Sequence, residues 1–303
     1  MDGKNIHWDY YRTALAVLEE GSLSGAARAL GLTQPTVGRH IEALEQALGT
    51  SLFVRNQSGL SPTIAALSMK PYAESLRATE SALLRSVSSE ANEVRGTVRV
   101  TASEVMGVEI LPGLLAGLRQ THPELSIELQ ISNHTQDLLK RDADIAVRMT
   151  EPLQDALIAR RAGTISMGYF AHTDYLSRHG IPVDLMALKN HSVIGYDREF
   201  PYIRALQKRY PQVQRADFSL RADSDLVQFS AIRKGYGIGI CQLGLAQQHT
   251  YLQRVLADEF QIDFPVWVVM HEDLRSSQRY RTTFDHLVKE LQALLRKAQS
   301  TRP

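Results

Sequence analysis

The sequence predicts an α/β protein built as a helical head, one long connecting helix and a larger α/β body. Three observations predict it. Residues 11–95 place Ala and Leu at helical spacing with few β-branched runs. From Gly96 the pattern changes to alternation, in Thr97-Val98-Arg99-Val100-Thr101 and again over residues 125–131. Between these segments Ile110, Leu111, Leu114, Leu115 and Leu118 form a helical stripe starting near Ser103, so strand, helix and strand make a βαβ unit. The 303-residue length fits about two domains at ~150 residues each.

In the head, Trp8 to Glu20 reads as an amphipathic helix with Tyr11, Leu15 and Leu18 inward, ended by Gly21 in a left-handed cap. Ser22 caps a second helix through Ala26-Ala27-Arg28-Ala29-Leu30, whose small residues allow close approach. Gly31-Leu32 is a tight turn. Thr33 then caps a third helix, with Pro35 in its first turn, where a missing N–H costs little. Val37, Ile41, Leu44 and Leu48 form its expected buried face. Gln34, Thr36, Gly38, Arg39 and Glu42 form the polar one. This is a helix-turn-helix pattern, whose second helix enters the major groove. Gln34 can pair bidentately with adenine, Arg39 with guanine or a phosphate, and Thr33 and Thr36 with phosphate or a thymine methyl. The same residues also suit a plain three-helix domain with a solvated face.

Leu52-Phe53-Val54-Arg55 and the turn through Gln57, Ser58 and Gly59 read as a short strand pair, a wing, with Arg55 placed to pin a phosphate. Residues 64–93 form one long helix with Pro71 early in it. Leu67, Tyr72, Leu76, Leu83, Leu84 and Val87 give it apolar surface that needs a partner, and a dimer supplies one. Charge does not drive nucleic-acid binding in bulk. Residues 1–95 hold 9 Lys/Arg against 10 Asp/Glu, and the whole chain 34 against 33. Binding must come from a few aimed cations, helix dipoles and dimerisation.

The run Gly21-Ser22-Leu23-Ser24-Gly25-Ala26-Ala27-Arg28-Ala29-Leu30, then Thr33-Gln34-Pro35-Thr36-Val37-Gly38-Arg39-His40-Ile41, resembles the LysR-type transcriptional regulators. Leu44-Glu45, Leu48-Gly49, Leu52-Phe53-Val54-Arg55 and Thr63 continue the match, and domain order extends it over the whole chain. The resemblance implies a winged helix-turn-helix over 1–63, a linker and dimerisation helix over 64–93, and a periplasmic-binding-protein-like effector domain over 94–303. Lobe one of that domain would be 95–163 plus 266–303, and lobe two 164–265. It also implies double-stranded promoter DNA as partner, a small-molecule effector in the interlobe cleft and a homotetramer or homodimer. RNA polymerase is a further partner if the protein activates. In that pattern Gln34, Pro35, Thr36 and Arg39 would read the groove, with Thr33 beside them at the cap, and Arg55 would contact the backbone. Two departures stand out. Gly38 replaces a common Ser, and the wing lacks a second cation near Ser58, so weaker non-specific binding is expected.

In the body, further strands are expected over 144–149, 166–170, 192–196 and 262–270, with Pro265 at a start or bend, and a terminal helix over 277–295. Ligands of such folds sit beyond the carboxyl ends of strands. Ser103, then Ser132 and Asn133, then Ser224 mark three rims of this kind. By the resemblance, Met149, Thr150 and Tyr196 join them as effector contacts. The Gly235–Gly239 run suits turning and packing rather than phosphate binding.

Other chemistry finds no support. The ten histidines lack ligand spacing, the Asp142/Asp144 pair has no water-activating companion, and Cys241 suits a packed hydrophobe. No enzyme activity, cofactor, metal or membrane span is expected. The N-terminus lacks an apolar leader, so a cytoplasmic protein is expected. The alternatives are an architectural DNA-binding oligomer without a ligand, or a solute-binding protein or enzyme with an accessory head.

Overall fold

A computed structural model of the chain describes residues 6–56, 59–87, 93–133, 143–152, 156–198 and 201–300. The chain divides into two units, the first ending at Val87.

The first unit begins with three helices: α1 (Trp8–Glu20), α2 (Leu23–Leu30) and α3 (Gln34–Leu48). Each ends at a glycine in the left-handed region, Gly21, Gly31 and Gly49, with φ of 68°, 65° and 70°. Side chains with a β-carbon disfavour that region, so these three positions set where the helices stop. Ser22 Oγ accepts from Gly25 N at 3.0 Å, and Thr33 Oγ1 accepts from Thr36 N at 3.4 Å. Ala14, Leu15, Val17, Ala26, Val37, Ile41 and Leu44 are buried as the core.

Leu48 departs from expectation and is 42% exposed. Glu45 Oε1 accepts from Leu52 N at 2.6 Å and Phe53 N at 3.0 Å, which pulls the chain back over α3. Leu52, 1% exposed, fills the core there instead.

The wing is the antiparallel pair β1 (Phe53–Asn56) and β2 (Gly59–Pro62). Its turn residues Gln57 and Ser58 lie outside the described residues. Thr63 Oγ1 then accepts from Ala66 N at 3.3 Å and so caps α4 (Ile64–Val87), which contains Pro71. The expected helix continues to 93, but residues 88–92 lie outside the described residues. Ala66 and Ala73 are buried and Arg77 pairs with Glu19 at 2.8 Å, which ties this helix to α1. Ile64, Leu67, Tyr72, Leu76, Leu83 and Leu84 remain exposed.

The second unit is one nine-stranded sheet. Its strands are β3 (Gly96–Ala102), β4 (Leu125–Ile131), β5 (Ile145–Arg148), β6 (Leu157–His172), β7 (Val193–Gly195), β8 (Phe218–Arg221), β9 (Ile238–Gln242), β10 (Leu252–Val255) and β11 (Ile262–His271). The order is β4-β3-β5-β11-β6-β9-β7-β8, with β10 also on β6. Parallel pairs at each end flank the two long antiparallel strands β6 and β11.

Two cores form on this frame. Lobe one packs Val98, Val100, Ile145, Val147, Val266 and Val268 against Phe284, Leu287 and Leu291 of the terminal helix α10 (Gln278–Ser300). Lobe two packs Tyr169, Tyr175, Val193, Phe218, Ile238 and Phe260. A neighbouring cluster there holds Phe170, Ile194, Phe229, Ile232 and Cys241.

One expectation is corrected and two gain detail. The strand expected at 166–170 is sixteen residues long and starts at Leu157. Its first half carries exposed Arg160 and Arg161, which hid a strand held by pairing with β11. Pro265 lies inside β11, beside a register shift at Val266/Trp267. The helix expected near Ser103 starts at Glu104 and winds through a five-residue π turn, Met106–Ile110, before α5 (Leu111–Thr121). Pro112 lies inside this continuous helical run and has no N–H to donate back to the turn before it, where the run departs from α geometry.

Candidate DNA-reading face and effector cleft

The DNA-reading candidates lie together at the start of α3. Thr33, Gln34, Pro35 and Arg39 are exposed and Thr36 is half-buried. The Thr33 and Thr36 hydroxyls bond each other at 2.8 Å, so both are partly committed to the cap. The side chains of Gln34 and Arg39 make no hydrogen bond or ion pair among the described residues. The first turn of α3 carries no acidic residue, so its helix dipole presents positive potential unopposed. Behind this face, His40 Nδ1 lies 2.9 Å from Thr13 Oγ1 and its ring packs on Tyr10 at 5.0 Å, which fixes α3 against α1. Arg55 sits in β1 opposite Leu60; its side chain lies outside the described atoms.

The effector candidates lie at the strand ends of the second unit. Ser103 follows β3. Its Oγ is shielded from solvent and makes no hydrogen bond among the described residues. Ser132 N donates to Ala102 O at 2.9 Å, which draws the end of β4 to the end of β3. Asn133 Oδ1 accepts from Glu104 N at 3.0 Å. Ser224 caps α8 (Asp225–Arg233), accepting from Val227 N at 3.2 Å. Ser103, Ser132, Asn133 and Ser224 therefore converge, with Glu104 as the link.

Met149 and Thr150 follow β5; Met149 packs on the lobe-one core and Thr150 is exposed. Tyr196 is 8% exposed and packs edge-on against Phe218 at 5.1 Å, so it belongs to the lobe-two core rather than to the Ser103 cluster.

Sequence reasoning missed three charged residues here. Glu104 reaches from lobe one into the first turn of α8 in lobe two. Its Oε1 accepts from Ser224 Oγ at 2.8 Å and its Oε2 from Leu226 N at 3.3 Å. A carboxylate of the protein itself thus occupies the helix terminus where an anionic ligand would be expected. Asp225, beside it, is pushed up to about 6 by burial and then by the like charge of Glu104. Arg148 is buried at the end of β5, and its Nη2 donates to Thr101 Oγ1 at 3.0 Å. Nothing in the local sequence marks Glu104, because its partners lie about 120 residues away.

Cys241 is 5% exposed in β9, and burial pushes its thiol up to about 12, so it stays protonated. Gly235 has φ of 71°, and a β-carbon on Gly237 would lie 1.9 Å from Ser192 O. That run turns and packs. Asp144 is buried and accepts from Arg99 N at 2.8 Å; Asp142 lies outside the described residues. Among the described residues no group of His, Cys, Asp or Glu is arranged to hold a metal, and no helix is long and apolar enough to cross a membrane.

Comparison with known proteins adds a decisive observation. Residues 8–67 match the family described as bacterial regulatory helix-turn-helix protein, lysR family, and residues 91–292 match the LysR substrate binding domain. The chain belongs to the LysR family. Among this family's curated members, an HTH-type transcriptional regulator of Xanthomonas campestris is 28% identical over 59% of this chain and 52% of its own length. The matched part thus spans about half of that relative. The probable HTH-type transcriptional regulator LtrA of Klebsiella pneumoniae is 23% identical over 95% of each chain. Among solved structures, the full-length virulence activator AphB of Vibrio cholerae superposes with a TM-score of 0.61 at 21% identity. That match covers 93% of this LysR-family chain and 99% of AphB. It places both units in the same fold.

Proposed function

We propose that this LysR-family chain is a sequence-specific DNA-binding transcriptional regulator, controlled by a small-molecule effector held between its two α/β lobes. The observation that carries the proposal is the pair Gln34 and Arg39. Both stand exposed and uncommitted at the start of a helix that two glycine caps and the Glu45 tether hold in place. Such a helix presents bidentate donors to base edges.

In this reading residues 1–63 bind promoter DNA, 64–93 link and dimerise, and 94–303 bind the effector. Lobe one is 95–163 plus 266–303, and lobe two is 164–265. The exposed apolar stripe on α4 supports a homodimer or homotetramer, which sets two recognition helices on two half-sites. RNA polymerase is a further partner if control is activating, and the chain works in the cytoplasm. Ser103, Ser132, Asn133 and Ser224 line the effector site, with Met149 and Thr150 at its margins and Tyr196 apart from them in the lobe-two core. The shielded, unbonded Ser103 hydroxyl supports a polar ligand there and weighs against an architectural protein whose cleft has lost its function.

Gel-shift titration on a recovered operator, with and without Arg39→Ala, tests the DNA half. The expected result is at least a tenfold loss of affinity with an unchanged thermal melt. Unchanged affinity would remove Arg39 from the interface.

A further inference from the structure

The second feature of the effector domain that calls for a ligand lies inside lobe two. A cavity of ≈350 Å³ sits between α7 (Pro201–Arg209) and the sheet, lined by Tyr169, Tyr196, Ile203, Phe218, Phe260 and Asp225, among others. Its volume falls in the range of small-molecule sites, whose walls are mostly apolar with a few placed polar groups. Rings pack in series around it. Tyr169 and Phe260 are 4.5 Å apart, and Phe260 and Tyr210 are 4.6 Å apart.

Two carboxylates, Asp223 and Asp225, stand on this wall among phenols and amides that can both donate and accept. Tyr169 is 3% exposed, and its hydroxyl makes no hydrogen bond among the described residues. The Asp225 carboxylate lines the same space and likewise accepts no hydrogen bond among them. Asp223 is already committed. It accepts from Asp197 N at 3.0 Å and Arg198 N at 2.8 Å, and pairs with the Arg198 side chain at 3.3 Å. Gln228 donates to Ala222 O at 2.7 Å. The one lining cation among the described residues, Arg209, is exposed and lies over the Tyr210 ring at 5.4 Å.

A carboxylate ligand would meet Asp225 with Glu104 behind it and be repelled. A cation would find an unpaired carboxylate, an unpaired phenol oxygen and aromatic faces, which together stabilise ammonium groups. We propose that the lobe-two cavity binds an organic amine, with its ammonium at Asp225 and an apolar body of one or two rings against Tyr169, Tyr196, Ile203, Phe218 and Phe260. This rests on the effector reading of the domain and names the class of ligand.

Calorimetric titration of the full chain without DNA tests it, using 2-phenylethylamine, 2-phenylethanol and 3-phenylpropanoate at pH 7.5. The amine is expected to bind at least tenfold more tightly than the alcohol, with the carboxylate weakest. Asp225→Asn keeps the shape of the side chain. It should melt no lower than the parent, lose the amine by tenfold or more and leave the alcohol unchanged. Ile203→Trp fills the cavity and should weaken both. Lowering the pH to 5 should weaken the amine about tenfold as a proton takes its place on Asp225, and should not do so in Asp225→Asn. Glu104 is the like charge acting on that carboxylate, and Asp223, paired with Arg198, lines the same cavity with Arg209 and the Tyr169, Tyr196 and Tyr210 phenols. Absence of amine binding, equal binding of the carboxylate, or amine affinity unchanged in Asp225→Asn would overturn the proposal. Operator binding that still responds to another metabolite would then leave the regulator reading standing and remove this ligand class alone.

Discussion

Glu104 bridges the two lobes, and its removal should loosen one identifiable backbone amide. The carboxylate accepts one bond from Ser224 Oγ at 2.8 Å and a longer one from Leu226 N at 3.3 Å. Hydrogen bonds to charged groups contribute about 1.5–3 kcal/mol each. Two effects reduce that here: Glu104 is half-buried, and Asp225 repels it. A net closing contribution of about 1–2 kcal/mol follows, or roughly a 5–30-fold shift in the closed-to-open ratio. Leu226 N has no helical partner in the first turn of α8, so its exchange with solvent reports the clasp directly. In Glu104→Ala, hydrogen exchange measured by mass spectrometry over residues 224–230 should rise by that factor, while peptides in β3 and α10 stay unchanged. Glu104→Gln keeps an acceptor oxygen and should fall between. Exchange in Glu104→Ala within twofold of the parent would refute the clasp.

Gly38 has an ordinary helical φ, and a β-carbon there meets nothing within 4 Å. Gly38→Ala should therefore stabilise the head by about 0.5–1 kcal/mol, read as a higher urea midpoint; a lower midpoint would mean an unseen contact. Asp225 titrates near 6 in the folded chain against an ordinary 3.8, so the fold binds its proton more tightly than the unfolded chain does. Its contribution to stability is greatest below 3.8 and is lost as pH rises through 6. Asp225→Asn should therefore raise Tm at pH 7.5 and lose that advantage by pH 4; a gain equal at both pH values would contradict the assignment. Gly237→Ala should destabilise the effector domain by several kcal/mol, because its β-carbon would lie 1.9 Å from Ser192 O. A thermal melt checks this, and a change under ~1 kcal/mol would mean that the Ser192 turn yields easily.

The head was legible because its instructions are local. Gly21, Gly31 and Gly49 end helices, Ser22 and Thr33 begin them, and each acts within four residues of itself. Leu48 was misread because the tether from Glu45 to Leu52 and Phe53, which decides what fills the core, leaves no periodic trace. Strands β3 and β4 matched their alternation. Strands β8 and β10 are four residues long and gave too little pattern to read. The first half of β6 hid behind two arginines that its neighbour's hydrogen bonds tolerate. The rim serines were visible because polar residues after strands are a local signal. Glu104 and Asp225 were not, since their roles come from a contact between lobes. The lobe-two cavity exists only once α7 has packed, and no linear pattern encodes a space.

The most direct test of the central claim is recovery and sequencing of genomic fragments bound by the purified protein at two salt concentrations. The account predicts a few intergenic sites with an imperfect two-fold repeat, retained at the higher salt and lost with Arg39→Ala. Diffuse recovery that vanishes as salt rises would mean that backbone contacts alone hold the DNA, and would contradict sequence-specific regulation by this chain.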